Sequence, residues 1–193
     1  MSFIDRLAAT LTPDASDEAR KESRAAFERQ AASEPLLRII VDQHKEIEAA
    51  FAKAHAARDS QAATAAVEEL AHLLTGHSMA EEAVIYPDIA SHDSKTHAGM
   101  AYEEHAMAKM QLARLRDLDH NNAEWREVLE HLEGAVQQHV HQEEGTWLPA
   151  LAANLPAGRK DVLATRFLDE YRRYMEGEAH RPTMQQPGSS TFA

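Results

Sequence analysis

Apolar residues recur at spacings of three and four along four long segments of this 193-residue chain. This spacing is typical of helices that bury one face in a bundle. The pattern predicts helices over about residues 35–57, 61–86, 97–118 and 123–148. Short polar connections join the first helix to the second and the third to the fourth, so each pair should form an antiparallel hairpin. We therefore expect an all-α protein with an up-down-up-down four-helix bundle over residues 35–150.

Additional helices are expected at both ends of the bundle. Residues 1–34 form an N-terminal helical extension, whose helix over about 16–32 could be capped by Asp14 or Ser16. Its apolar residues could cover the bundle or join two subunits, and a loosely packed appendage is an equal alternative; they are Phe3, Ile4, Leu7, Leu11 and Phe27. Residues 151–178 contain a C-terminal helix that should pack on the bundle or on a partner. The glycine- and proline-containing tail, 179–193, is expected to be disordered.

Polar residues interrupt the four apolar stripes at one level of the bundle. Each stripe is apolar except for a histidine or a histidine–glutamate pair, and the interrupting residues are His44, His77, Glu81, His105, His139 and Glu143. Measured from the hairpin turns, their heights agree within roughly 6 Å, about one helical turn. A buried carboxylate without a partner costs several kcal/mol or changes its protonation. A pair of divalent cations would supply the compensating charge.

One motif occurs twice, 62 residues apart. The segments 77–90 and 139–152 share the pattern H-x3-E-E-x4-P-x-(I/L)-A. Residues four apart lie on one face of a helix, so each copy directs an imidazole and a carboxylate the same way. Two such pairs facing each other form a mixed nitrogen and oxygen site for one or two transition metals. We expect Pro87 and Pro149 to lie at or near the ends of their helices, with a loop over residues 88–96.

These motifs resemble the hemerythrin family, in the branch of HHE cation-binding domains. The resemblance covers about residues 36–150 and rests on His44, both H-x3-E-E motifs and the segment Glu103-Glu104-His105. It implies a four-helix bundle around a non-haem centre of two iron ions. Glu81 and Glu143 match the positions of the carboxylates that bridge the irons in that family. The four histidines match the positions of the terminal imidazole ligands.

The chain departs from the oxygen-carrying hemerythrins, which have two histidines spaced four apart on the third helix. Here Ala101 and Lys109 flank His105 at that spacing. Water, Glu104 or Tyr102 could fill the place, and a respiratory oxygen carrier is disfavoured. The second motif also has H-x3-E where those carriers have H-x4-D, so the choice of Glu143 over Glu144 as ligand is an interpretation.

Other candidates near the site receive a structural interpretation. Glu82 and Glu144 lie about 100° around the helix from the chosen carboxylates and should face a neighbouring helix or solvent. Glu48, one turn beyond His44, is expected to lie outside the ligand set or at the surface. Tyr86 and Trp147 are expected to be aromatic residues of the core.

Composition and charge exclude several kinds of chemistry. The chain has no cysteine, which excludes disulfides, thiolate metal sites and a cysteine nucleophile. Its net charge of −12 disfavours nucleic acid as a partner. The sequence contains no signal peptide pattern and no apolar run long enough to span a bilayer, so we expect a cytoplasmic protein that does not bind membranes.

The sequence predicts a protein that binds or senses dioxygen, related small oxidants such as peroxide and nitric oxide, or iron. One alternative is a di-iron enzyme with peroxidase, catalase-like or iron-oxidising turnover, although a binding protein is favoured. A second alternative is a structural bundle that holds zinc or another redox-silent metal.

Overall fold

The protein, described here by a computed structural model of residues 15–179, is helical throughout. The helices are α1 (Asp17–Ala31), α2 (Pro35–Ala56), α3 (Ser60–Ala80), α4 (Tyr86–His92), α5 (Lys95–Asp117), α6 (Ala123–Gln142), α7 (Leu148–Asn154) and α8 (Ala157–Ala179). A π-helical turn, Glu81–Ile85, joins α3 to α4, and a second, Glu143–Trp147, joins α6 to α7. Two of the expected features lie outside the described residues. They are the apolar residues Phe3, Ile4, Leu7 and Leu11 of the N-terminal extension, and the tail beyond residue 179.

The all-α bundle with additional terminal helices is confirmed. Helices α2, α3, α5 and α6 run up-down-up-down, and α1 and α8 flank them. Polar side chains cap the starts of α1, α3, α5 and α6: Ser16, Asp59, Ser94 and Asn122 each accept a hydrogen bond from a backbone N–H of the following first turn. Ser16 is therefore the cap of α1. Within residues 15–179 no helix is long and apolar enough to cross a membrane.

Both motif prolines lie inside continuous helical segments, so the expected helix end at Pro87 was wrong, and the expected loop over residues 88–96 is reduced to residues 93–94. The backbone N–H of Tyr86 donates to the carbonyl of Glu81, five residues back, and that of Leu148 donates to Glu143. The proline that follows needs no hydrogen-bond acceptor. In the first copy, the Tyr102 hydroxyl donates to the Glu82 carbonyl at 2.8 Å. The widened turn thus carries the helix past the proline to His92.

The apolar core is divided into two clusters along the bundle. One contains the first turns of α2 together with side chains of α1, α4, α7 and α8. The other contains the later turns of α2 and much of α3, α5 and α6. His44 lies in α2 between Val41 of the first cluster and Ile47 of the second. The predicted polar layer therefore lies between the two apolar clusters of the bundle.

The flanking helices pack closely on this core. Phe27 of α1 and Phe167 of α8 are both almost fully buried. Gly76 of α3 permits the approach of α8, because a Cβ atom there would lie 3.0 Å from the ring of Tyr174 and 3.1 Å from the sulfur of Met175. The described part of the N-terminal extension and the C-terminal helix are thus in contact with the layer that contains the predicted site.

Candidate metal centre

The structure brings all six predicted site residues together in one buried layer. Each is at most 6% exposed. They form two sets of potential metal ligands, and the donor atoms within each set lie within 4.8 Å of one another. The four-donor set is His44, His77, Glu81 and Glu143, and the three-donor set is Glu81, His105 and His139. Glu81 belongs to both sets, so the two positions are adjacent.

The distances show which atoms converge. In the four-donor set, His77 Nε2 lies 3.2 Å from Glu81 Oε2, and His44 Nε2 lies 3.3 Å from Glu143 Oε2. In the three-donor set, His105 Nε2 lies 3.5 Å from Glu81 Oε2 and 3.1 Å from His139 Nε2. All four imidazoles therefore present Nε2 to the centre, where both carboxylates lie between them.

The other ring nitrogen of each imidazole is anchored outside the centre. His44 Nδ1 pairs with Glu144 at 2.7 Å, and His77 Nδ1 pairs with Gln43 at 2.9 Å. His105 Nδ1 pairs with Glu82 at 3.0 Å, and His139 Nδ1 pairs with Glu104 at 2.8 Å. Because these oxygens can accept the Nδ1 proton, the neutral form of each ring carries its lone pair on the Nε2 that faces inward. This is how metal-binding histidines are usually held.

These outer partners refine the earlier interpretation of the second glutamates. Glu82 and Glu144 do face a neighbouring helix, but each binds a site histidine there. Glu104 and Tyr102 were candidates for the place left by Ala101, and both are engaged elsewhere, with His139 and with the Glu82 carbonyl. Glu48 lies outside the centre, where it binds Arg24.

Tyr86 is a residue of the core, as expected, but its hydroxyl lies in the centre. The hydroxyl oxygen is 2.9 Å from His105 Nε2 and 3.3 Å from His139 Nε2. It is also 3.0 Å from Glu143 Oε1 and 3.2 Å from Glu81 Oε2. A phenolic oxygen therefore accompanies the three-donor set. The second copy of the motif has Leu148 at the equivalent position. This difference between the two copies is the signal in the sequence that could have identified Tyr86.

Unpartnered atoms in the centre fit a metal. His44 Nε2, Glu81 Oε1 and Glu143 Oε2 are buried and make no hydrogen bond. Although His44 Nε2 and Glu143 Oε2 lie within ion-pair distance, they are not aligned for a hydrogen bond. Buried polar atoms are normally satisfied, because an unsatisfied one costs about 1–3 kcal/mol. Lone pairs of nitrogen and carboxylate oxygen that point at one place are what a transition metal ion requires.

In the metal-free layer, the pKa values of the two buried carboxyl groups are shifted in opposite directions. Burial lowers the pKa of His44, but its contacts with Glu143 and Glu144 outweigh burial and raise that pKa to about 9. Burial and the charge of Glu143 both raise the pKa of Glu81 well above its ordinary value. Burial also acts to raise the pKa of Glu143, but His139 and His44 hold it well below its usual range. Without metal, one carboxylate keeps a proton and the other keeps its charge.

Comparison with known proteins agrees with this geometry. The family model of the hemerythrin HHE cation-binding domain matches residues 36–151. The chain is 23% identical over 157 residues to an uncharacterized hemerythrin-like protein of Schizosaccharomyces pombe, which covers 80% of this chain and 77% of that protein. It is 26% identical over 129 residues to a DNA nickase of Nostoc sp., which covers 67% of this chain. The chain spans only 37% of the nickase's length in that match.

No solved structure matches the chain. The family model nevertheless covers more than half of the sequence, and the buried histidine and glutamate cluster lies within the matched residues. The chain therefore belongs to the hemerythrin HHE cation-binding domain family.

Proposed function

We propose that the buried layer holds a non-haem centre of two iron ions and that the protein binds or senses dioxygen, a related small oxidant or iron. The observation that carries the proposal is the anchoring of all four site imidazoles at Nδ1, which directs four Nε2 atoms at two buried carboxylates. Such anchoring fixes the ring orientation and raises the basicity of a ligand. A histidine that only filled the core would also have its Nδ1 hydrogen-bonded, but four such rings would not need to direct their Nε2 atoms at one place.

The donor set is compatible with iron. Imidazole and carboxylate ligands suit iron, and the chain offers no thiolate that would favour softer metals. Glu81 is shared by the two donor sets, so one carboxylate could contact two ions. In the proposed ligand set, His44 and His77 serve one ion, His105 and His139 serve the other, and Glu81 and Glu143 lie between them.

The residues around the centre would protect it from bulk water. Phe167 of α8 packs edge-on against the ring of His77, and Trp147 packs edge-on against His139. Both aromatic side chains are buried. When bound, two ferrous ions supply the electrons that dioxygen requires. The chain's own part is to hold the donor atoms, exclude water and admit a molecule of two atoms.

The test combines metal quantification with absorption spectra of the iron-loaded protein before and after dioxygen is admitted. We expect about two iron ions per chain and a new visible band on exposure to dioxygen. A stably folded protein that takes up no iron would contradict the proposal. Retention of zinc in preference to iron would instead indicate a structural metal site.

Enzymatic turnover is a second candidate, favoured by the three-donor set. Three protein donors leave a metal with open coordination positions, as catalytic sites require. Steady-state consumption of peroxide by the iron-loaded protein separates the candidates, because a binding protein reacts only once per centre. The net charge of −12 argues against binding to a phosphate backbone, so the proposal does not extend the relative's nickase activity to this chain.

Replacing Tyr86 with phenylalanine should change the spectrum of the iron-loaded protein while leaving both ions bound. The change removes one hydroxyl from among four donor atoms and preserves the ring in the core. We propose that this hydroxyl supplies an oxygen ligand at the three-donor position. Visible absorption of the oxidised protein, at equal iron content, measures the effect.

Tyr102→Phe is the matched control, because the Tyr102 hydroxyl binds a backbone carbonyl instead. Its spectrum should be that of the unaltered protein. A Tyr86→Phe spectrum that is also unchanged would show that the phenol is no ligand.

A further inference from the structure

The N-terminal helix contributes a cation beside the centre. Arg24 of α1 donates through Nε to Glu144 Oε2 at 2.5 Å and through Nη2 to Glu48 Oε1 at 2.6 Å. Its side chain is 17% exposed, while that of Glu144 is 2% exposed. The other oxygen of Glu144 pairs with His44 Nδ1 at 2.7 Å. A continuous line of charge-assisted contacts therefore runs from α1 to the inward-facing nitrogen of His44.

The two halves of the repeat obtain this cation from different places. In the first copy, Glu82 binds His105 and also Lys109, and both partners lie on α5 within the bundle. In the second copy, Glu144 occupies the equivalent position. Among residues 15–179, the lysine or arginine within 4 Å of Glu144 is Arg24 of α1. The bundle is thus complete around Glu82 but depends on the flanking helix at Glu144.

A glycine in the second motif makes room for α1. Gly145 follows Glu144, and a Cβ atom there would lie 3.2 Å from the hydroxyl of Ser23. The first motif has Ala83 at the equivalent position. The start of α1 is also attached to the bundle, because the backbone N–H of Ala15 donates to Gln138 at 3.0 Å. This side of the bundle is therefore shaped to receive the helix.

We propose that α1 helps to position the ligands of the metal centre and that docking of α1 on the bundle is coupled to metal binding at the four-donor set. Arg24 is a positioning residue: it fixes the Glu144 carboxylate, which in turn orients the His44 ring. This inference rests on the proposed function only in requiring that the four-donor set binds a metal. Coupling between two sites is reciprocal, so a metal that binds more tightly when α1 is docked must also stabilise the docked helix.

The reciprocity gives the helix a role beyond support. Loading of the centre would tighten α1 on the bundle, and loss of the metal would loosen it. Residues 17–31 would then report the state of a buried centre at the protein surface, where a partner could detect it. The family match begins at residue 36, so α1 lies outside the matched residues.

Arg24→Gln in the full chain tests the coupling, with ferrous iron supplied without oxygen and affinity measured by competition with a chelator. Loss of an outer partner of a metal ligand typically weakens binding by about 10–100-fold. Arg24 acts on such a partner, Glu144, so we expect the lower end of that range, roughly tenfold. Hydrogen exchange in residues 17–31 should slow when iron is added to the unaltered protein. That slowing should be much smaller in Arg24→Gln.

Arg20→Gln is the matched control. Arg20 lies one turn earlier on α1, is paired with the exposed Asp17, and has no contact with Glu144. It should leave both the affinity and the iron-dependent exchange unchanged. Equal affinities for Arg24→Gln and Arg20→Gln would overturn the inference alone. An unaltered protein that binds no iron would overturn the proposed function as well.

Discussion

Glu81→Gln is expected to abolish binding of both metal ions, although it changes one side chain without changing its size. Glu81 is the carboxylate that belongs to both donor sets. An amide oxygen carries no charge and holds a transition metal poorly, and the amide nitrogen would direct protons at the centre. The remaining donors would be four imidazoles and Glu143, with less charge to balance two cations. Elemental analysis of protein produced with excess iron measures the loss.

Two further variants make this prediction specific. Glu103→Gln changes an exposed carboxylate of α5, two residues before His105, and should keep both ions. Glu82→Gln removes an outer partner of His105 and should weaken binding by about 10–100-fold without abolishing it. Iron loss in Glu82→Gln as complete as in Glu81→Gln would mean that the wrong member of the glutamate pair was chosen as the ligand.

The architecture could be predicted because it depends on local periodicity. Apolar spacing of three and four determines which face of each helix is buried, and short connections determine that neighbouring helices are antiparallel. The same periodicity located the centre, since a histidine or glutamate on a buried stripe must meet the polar residues of the other stripes. His44 and His105 were identified in this way, although each is the single polar interruption of its stripe.

The parts that could not be predicted depend on contacts between distant segments. Glu144 lies 100 residues from His44 and 120 from Arg24, and no local pattern signals either pairing. The π-helical turns were missed because a proline usually ends a helix, and the motif gives no sign that the preceding turn widens. Tyr86 was read as a core aromatic from its position, which is correct for the ring but says nothing about where its hydroxyl points.

The repeat also conceals how differently its two halves are completed. Tyr86 and Leu148 occupy equivalent places, as do Ala83 and Gly145. The tyrosine of the first copy gives the three-donor set a hydroxyl, and the glycine of the second copy leaves room for α1 beside Glu144. Similar halves therefore surround two unlike donor sets. We infer that divergence of the two copies, rather than the shared motif, sets the chemistry of this centre apart from a symmetrical one.

Removal of the metal should lower the thermal unfolding midpoint substantially. A ligand that binds only the folded protein stabilises it by about 4 kcal/mol when its free concentration is a thousand times its dissociation constant. For a chain of this size, each kcal/mol corresponds to roughly 2–4 °C, so each ion should contribute roughly 8–16 °C. Differential scanning calorimetry with ferrous iron, and then with a chelator in excess, measures the difference.

Glu81→Gln separates metal binding from the intrinsic stability of the layer. Burial and the neighbouring Glu143 raise the pKa of Glu81 well above its ordinary value, so the metal-free protein favours a neutral side chain at this place. Glutamine has nearly the same shape as that protonated acid. The variant should therefore unfold close to the metal-free unaltered protein and gain nothing from iron. A variant that iron still stabilises would show that Glu81 is not an essential ligand. An unaltered protein whose unfolding midpoint does not change with the chelator would show that the layer is held together by its own hydrogen bonds.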